Sequence, residues 1–222
     1  SLNVKLVVSH AGLTVGPDGA SHQQIEDFST MRAIPNIRVI VPADAVSVEH
    51  VIKSIAHTPG PFYVRLARPS SDVLYAEKET VFTIGKGNIL RDGSDATIIS
   101  CGLMVARSLE AADILKRNEN ISCRVVDMFS IKPIDTELVE KCGRETGAIV
   151  TAEEHNVIGG LGGAVAEAST ESYPVPIKRI GVKDVFGESA RDEEIDALLE
   201  KYGLTSTDIA RAVVESRGRS KG

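Results

Sequence analysis

Three apolar runs, Val4–Val8, Ile37–Val41 and Phe62–Leu66, read as strands, and the stretches between them read as helices. Connections of that length cannot close a tight hairpin, so these strands must lie parallel in one sheet with the helices packed on it. The first helix is expected from about His22 to Ala33, stopping before Pro35. Ser21 and Gln24 have capping-box spacing and predict Ser21 as its N-cap. The second is expected after Pro42, with Asp44 as N-cap and Val48, Val51, Ile52 and Ile55 as its core-facing stripe. Such a small sheet leaves an edge open and one face thinly covered. The reading therefore expects an upstream segment or a partner to complete it. The chain begins with Ser1 rather than Met and enters a strand almost at once. The opening is expected to be trimmed or not to be the natural terminus.

Residues 67–80 read as a polar connector, after which the pattern starts again. Phe82–Leu90, Gly93 and Ala96–Cys101 suggest a hairpin leading into a buried strand. Val105, Leu109, Ala112 and Leu115 mark a helix. Strands Ser122–Met128, Ala148–Ala152 and Ile177–Gly181 follow, with helices between them, one starting at Asp135. Two helices, about Glu193–Tyr202 and Thr207–Glu215, close the chain, and Thr205, Ser206 and Thr207 offer N-caps for the last. The expected fold class is α/β: two consecutive three-layer domains with mostly parallel sheets, residues 1–74 and 75–222, the first incomplete at its N-terminus.

The net charge of −6 and the pI near 5.4 argue against nucleic-acid or anionic-membrane partners. Residues 1–75 carry six basic and six acidic side chains, so the whole acidic excess lies later. An anionic ligand is expected on the first part. Three scattered cysteines give neither a disulfide framework nor metal-ligand spacing, which fits a reducing cytoplasm. No apolar run is long enough to span a membrane, and no signal peptide is visible.

The chemistry-bearing stretch is Ser9–Gln24, S-H-A-G-L-T-V-G-P-D-G-A-S-H-Q-Q. It gathers His10, Asp18 and His22 around a Gly/Pro turn, just past a strand's carboxyl end, where open α/β sheets place ligands. The same residues also suit a plain turn and helix cap. His50 and His57 read as solvated. Gly159–Gly163, ahead of a helix, reads either as an anion cradle or as a tight packing turn.

The pattern H-x7-D-G-x2-H-Q at residue 10, then S-T-M-R-A-I-P-N and V-P-A-D-A, resembles the pyrimidine-binding domain of transketolases. The later G-V-K-D-V-F-G-E-S-A and L-L-E-K-Y-G-L-T resemble the end of that family's C-terminal domain. The likeness runs over essentially the whole chain and is greatest to split transketolases, whose C-terminal half is a separate polypeptide. The resemblance implies transfer of a two-carbon ketol unit from a ketose phosphate to an aldose phosphate with thiamine diphosphate and Mg²⁺. It implies that Asp18 accepts from a substrate hydroxyl, that His22 lies near the reacting carbon, and that His10 and Arg68 bind the sugar phosphate. Arg65 competes with Arg68 for that role, but strand alternation puts the two on opposite faces. His155 is expected to be structural, and the second domain to serve assembly. Since the family's activating glutamate and diphosphate–Mg²⁺ site match nothing here, the chain alone is expected to be inactive. It should pair with an N-terminal diphosphate-binding chain, as a homodimer or heterotetramer.

His10-Ala11-Gly12 departs from the family's H-D-S, and Gly16–Gln23 from its G-E-D-G-P-T-H-Q. The A-G-L element is similar to deoxyxylulose-phosphate synthase. That family has arginine before its A-G, and Tyr-Pro-Arg-Gly where Leu66-Ala67-Arg68-Pro69 stands here. A synthase-like enzyme and a non-catalytic assembly or regulatory subunit are the alternatives.

Overall fold

The computed structural model describes residues 2–76 and 81–219. In the first sheet, β1 (Lys5–Val8), β3 (Phe62–Arg65) and β2 (Arg38–Ile40) lie parallel in that order. Alternation along these strands divides the side chains between two different environments. Ile40, Phe62 and Val64 pack under α2 (Ala45–Ala56) with Val51 and Ile55, and with Tyr75, Phe82 and Phe129. Val39, Val41 and Tyr63, on the opposite face, share a core with Phe28 of α1 (Asp27–Ala33) and with the second half of the chain. Asp44 is the N-cap as expected, and it forms a full capping box: the Asp44 carboxylate accepts from the Ser47 amide at 2.8 Å, and Ser47 Oγ accepts from the Asp44 amide at 2.9 Å.

The second sheet runs β4 (Asn88–Arg91), β6 (Cys123–Asp127), β5 (Ala96–Ser100), β8 (Ile149–Asn156), β9 (Ile177–Val182). All its pairs are parallel except β4 with β6. The helices α3 (Met104–Glu119), α6 (Ile195–Lys201) and α7 (Ser206–Arg219) cover one face. The other face is covered by α4 (Thr136–Thr146) and α5 (Leu161–Glu171). Asp135 caps α4 by accepting from the Leu138 amide, and Thr205 caps α7 by accepting from the Asp208 amide.

The structure corrects three sequence expectations. The Phe82–Cys101 hairpin does not form. β4 pairs antiparallel with β6 instead of with β5, because Gly93 turns flush against Cys123, where any Cβ would clash with the backbone. A short strand, β7 (Ser130–Lys132), leaves the second half of the chain to pair antiparallel with β2, so the first sheet has four strands. Finally, the strand expected at Ala148–Ala152 continues to Asn156. Of the connector expected over 67–80, residues 77–80 lie outside the described residues, as does Ser1.

The described part of the connector is held by buried carboxylates. Asp44 Oδ2 accepts from the Leu74 and Tyr75 amides at 2.8 and 3.1 Å, and the Tyr75 hydroxyl donates to Asp127 at 2.6 Å. Asp127 is fully buried, and that burial pushes its carboxyl up to about 7. A raised carboxyl favours the folded state while it is protonated. The unfolded chain ionises first as pH rises, so stability drains away from about pH 4 to 7. Asp127→Asn is therefore expected to raise the unfolding free energy at pH 8, by ~2–4 kcal/mol, with the gain vanishing near pH 4. Urea unfolding at both pH values checks this.

Candidate functional site

β1 and β3 run parallel with Val8 opposite Arg65, so the chain leaves both strands at the same end of the sheet. His10 stands two residues past β1 and Arg68 three residues past β3. Between them the chain folds into a loop whose neck is closed by the Gly12 amide donating to the Gln24 carbonyl at 3.0 Å. A 3₁₀ helix, Leu13–Asp18, forms its outward arm. A turn follows, with the His22 and Gln23 amides donating to the Gly19 carbonyl.

The expected N-cap at Ser21 is not there. Helix α1 starts at Asp27 with Glu26 as N-cap, and Ser21 Oγ bonds His22 Nδ1 at 3.0 Å instead. Tertiary bonds instead hold the neighbouring Gln23 and the Gln24 carbonyl in a non-helical turn. The Gln23 carboxamide donates to the Leu13 and Glu188 carbonyls at 2.9 and 2.8 Å, tying both arms of the loop to the second domain. His22 is thus an exposed turn residue, not a helical one.

What fixes the loop is buried. Leu13 is fully enclosed in the core of the second sheet, with Ile98, Val150 and Ala152. Glu154 Oε1 accepts from the Thr14 amide at 2.7 Å. Arg65 donates through Nη2 to the Glu154 carbonyl at 2.9 Å and to the Gln24 carbonyl at 3.3 Å. Its Nε meets Asp27 Oδ2 at 3.0 Å, and the same oxygen accepts from the Tyr63 hydroxyl at 2.8 Å. Burial alone would disfavour the guanidinium's charge, but Asp27 and Glu154 outweigh it and hold Arg65 charged. Gly12 is required at this junction. Its φ is +87°, and a Cβ there would come within 2.4 Å of Glu154 Oε1. Arg65 is therefore buried and bonded internally on the face toward the second domain, through Nη2 and Nε.

His155 is structural, as the sequence reading held, and its role is specific. Its Nε2 accepts from the Phe28 amide at 3.1 Å, capping the start of α1, while Nδ1 donates to its neighbour's carbonyl, Asn156 O, at 2.6 Å. The ring stacks on Phe28 at 4.6 Å. Burial pulls the imidazole down to about 4, so it is neutral here. Both readings of Gly159–Gly163 prove partly right. The start of α5 does cradle a carboxyl group, the chain's own Glu153, bonded by the Leu161 and Gly162 amides at 2.6 and 2.8 Å, while burial pushes that carboxyl up to about 7. Gly160 sits so close that a Cβ would lie 2.0 Å from Glu153 Oε2.

Among the described residues, no hydrogen bond or ion pair joins any two of the four residues singled out. Arg68 and Asp18 are near enough for the carboxylate's charge to act on the guanidinium. Arg68 Nη1 also lies 3.0 Å from where a side chain at Gly16 would begin. His10, at φ 63°, and His22 are exposed on the loop's two arms, each with its Nδ1 bonded to the preceding serine. No recorded contact joins either histidine to Asp18 or Arg68. None of the four lines the cavity of about 700 Å³ bounded by Thr14, Ser70, Leu103, Arg107 and Glu154. Among the described residues no group of three or more His, Cys, Asp or Glu could hold a metal ion, and no helix is long and apolar enough to cross a membrane. Sequence reasoning missed Glu154, Arg65 and Asp27 as the anchors. The signal available was A-E-E-H-N, consecutive charged residues continuing an apolar strand. It also gave the second domain too small a part, since that domain grips the loop directly.

Comparison with known proteins places these features. Residues 1–72 match the transketolase pyrimidine-binding domain family, and residues 85–209 match the transketolase C-terminal domain family. The chain is 49% identical over 216 residues to a protein of Methanocaldococcus jannaschii described as a transketolase C-terminal section, covering 96% of this chain and 66% of that one. It is 42% identical to a 6-deoxy-6-sulfo-D-fructose transketolase subunit of a Clostridium species, covering 96% and 65%. A 1-deoxy-D-xylulose-5-phosphate synthase of Trichormus variabilis matches at 40% identity, covering 97% of this chain but 34% of the synthase. A solved split-gene transketolase, an inactive β4 tetramer, superposes with a TM-score of 0.87 at 46% identity, covering 97% and 67%. The chain thus spans about two thirds of the length of its split-transketolase relatives.

The neutral His155 gives a pH signature. Its lowered value means its contribution is complete above the unfolded value near 6.5 and is lost as pH falls from there toward 4. The stability difference between wild type and His155→Gln is expected to shrink by up to ~3 kcal/mol between pH 7 and pH 4. Paired urea titrations measure it.

Proposed function

Because the chain belongs to the transketolase family, we propose that it supplies the substrate-reading half of a thiamine diphosphate-dependent transketolase, acting with a separate diphosphate-binding chain. Residues 1–74 would be part of the pyrimidine-binding domain and 75–222 the C-terminal domain. The observation that carries this reading is the loop over residues 9–24. It is anchored in the core of the second domain through Leu13, yet it leaves Asp18 and His22 exposed, near the carboxyl ends of two parallel strands. Such a surface, open on one side, suits a pocket closed by another polypeptide. The Mg²⁺–diphosphate end does not fit the described residues, which contain no metal-holding cluster. That end belongs to the partner in this reading.

The chain's own contribution is to bind and orient a sugar. The Asp18 carboxylate accepts from a hydroxyl and so selects its stereochemistry. The exposed His22 imidazole bonds the donor sugar near the reacting carbon and can hold a proton there. His10 and the Arg68 fork meet the anionic end of the sugar. Phosphate is the expected anion, as in pentose phosphate metabolism, although the Clostridium relative is named for a sulfonated sugar. The three free, buried cysteines support a cytoplasmic location. The inactive β4 tetramer supports the expectation that the chain alone has no activity and that a hetero-oligomer is the working form.

The synthase relative keeps a second reading in view, condensation of pyruvate with an aldehyde phosphate. Mixing the purified chain with an N-terminal transketolase chain and thiamine diphosphate–Mg²⁺ is expected to give ketol transfer that neither chain shows by itself. Asp18→Ala or His22→Ala should lower kcat/KM by about a hundredfold or more. Unchanged turnover in both variants would make the chain an assembly subunit. Carbon dioxide release from pyruvate would favour the synthase.

A further inference from the structure

Arg68 does not stand free. Its Nη1 and Nη2 both bond the carboxylate of Asp192, the second contact at 3.4 Å. Asp192 comes from the second domain and opens a short 3₁₀ turn, Asp192–Glu194. The segment before that turn is docked on the loop independently of the ion pair: the Ala190 amide donates to the Gly16 carbonyl at 3.3 Å, and the Glu188 carbonyl accepts from Gln23. A Cβ on Gly16 would sit 2.9 Å from Asp192 Oδ1 and 3.0 Å from Arg68 Nη1, so the pair is wedged against the arm that ends in Asp18. One guanidinium thus faces two carboxylates, with exposed Glu193 and Glu194 following in the chain. The occupied Nη1–Nη2 edge is the fork a phosphate would take.

We propose that Asp192 is a specificity-determining residue, which competes for the Arg68 fork and so weakens the site's hold on a dianionic phosphate relative to a less charged sugar. The inference rests on the reading that Arg68 meets the far end of the substrate. A phosphate arriving there must displace the carboxylate or share the guanidinium with it. Because the pair is largely exposed to water, the penalty is a small factor, not orders of magnitude.

The test compares kcat/KM for xylulose 5-phosphate with that for xylulose in the reconstituted two-chain enzyme. Asp192→Asn, which keeps an acceptor and drops the charge, is expected to raise the phosphorylated-to-unphosphorylated ratio about two- to fivefold. Asp192→Glu should hold the wild-type ratio, and in an Arg68→Ala background Asp192→Asn should leave the ratio where Arg68→Ala put it. A residue that merely docked the turn would move both substrates together. A wild-type ratio for Asp192→Asn, or a gain that persists without Arg68, overturns the proposal. If Arg68→Ala itself leaves the ratio at its wild-type value, the assignment of Arg68 to the anionic end is what falls.

Discussion

One buried cation ties the molecule together. Arg65, on the strand face turned toward the second domain, lies between Asp27 and the Glu154 backbone and side chain, with almost no exposure to water. Leaving either side of such a bridge uncompensated costs roughly 3–5 kcal/mol. The two domains are therefore not free to separate, and their shared core of Val39, Tyr63, Phe28, Ile99 and Val126 adds apolar burial to the same seam. The loop over residues 9–24 crosses this seam. Its Thr14 amide, its Gln24 carbonyl and the close approach of Gly12 all use the bridge, so the seam fixes the base of the loop that carries Asp18 and His22.

Elements specified by local chemistry were legible. The capping residues Asp44 and Thr205 work as the sequence suggested, because each bonds an amide three residues on, and Asp135, read as a helix start, caps its helix in the same way. The strand runs were likewise legible from their apolar content. What could not be read was set by distant partners. Ser21 and Gln24 have the spacing of a capping box, but Gln23 and Gln24 are engaged by Leu13, Gly12, Arg65 and Glu188. β7 is three residues long and exists only because β2 offers it an edge. Glu153, Glu154 and His155 look like the end of a strand followed by a polar loop. They stay in the sheet because the start of α5, the Thr14 amide and the start of α1 each supply a partner.

The candidate site divides along the same line. Alternation was expected to separate Arg65 from Arg68, but β3 ends at Arg65, so Arg68 reaches the rim from the loop beyond the strand while Arg65 stays inside. No pattern in the sequence joined Arg68 to Asp192, which is 124 residues away. The second domain, expected to serve assembly, therefore takes a hand in the site at its base through Glu154 and at its rim through Asp192. The candidate site is therefore built by both domains of this chain.

The claim that the second domain holds the loop over residues 9–24 is tested most directly by hydrogen exchange at a single amide. Thr14 N–H should exchange slowly in the wild-type chain. In Glu154→Ala it should exchange rapidly while amides of β5 and β6 keep their protection, showing that the loop is released within a still-folded domain. Equal protection of Thr14 in both proteins would contradict the account.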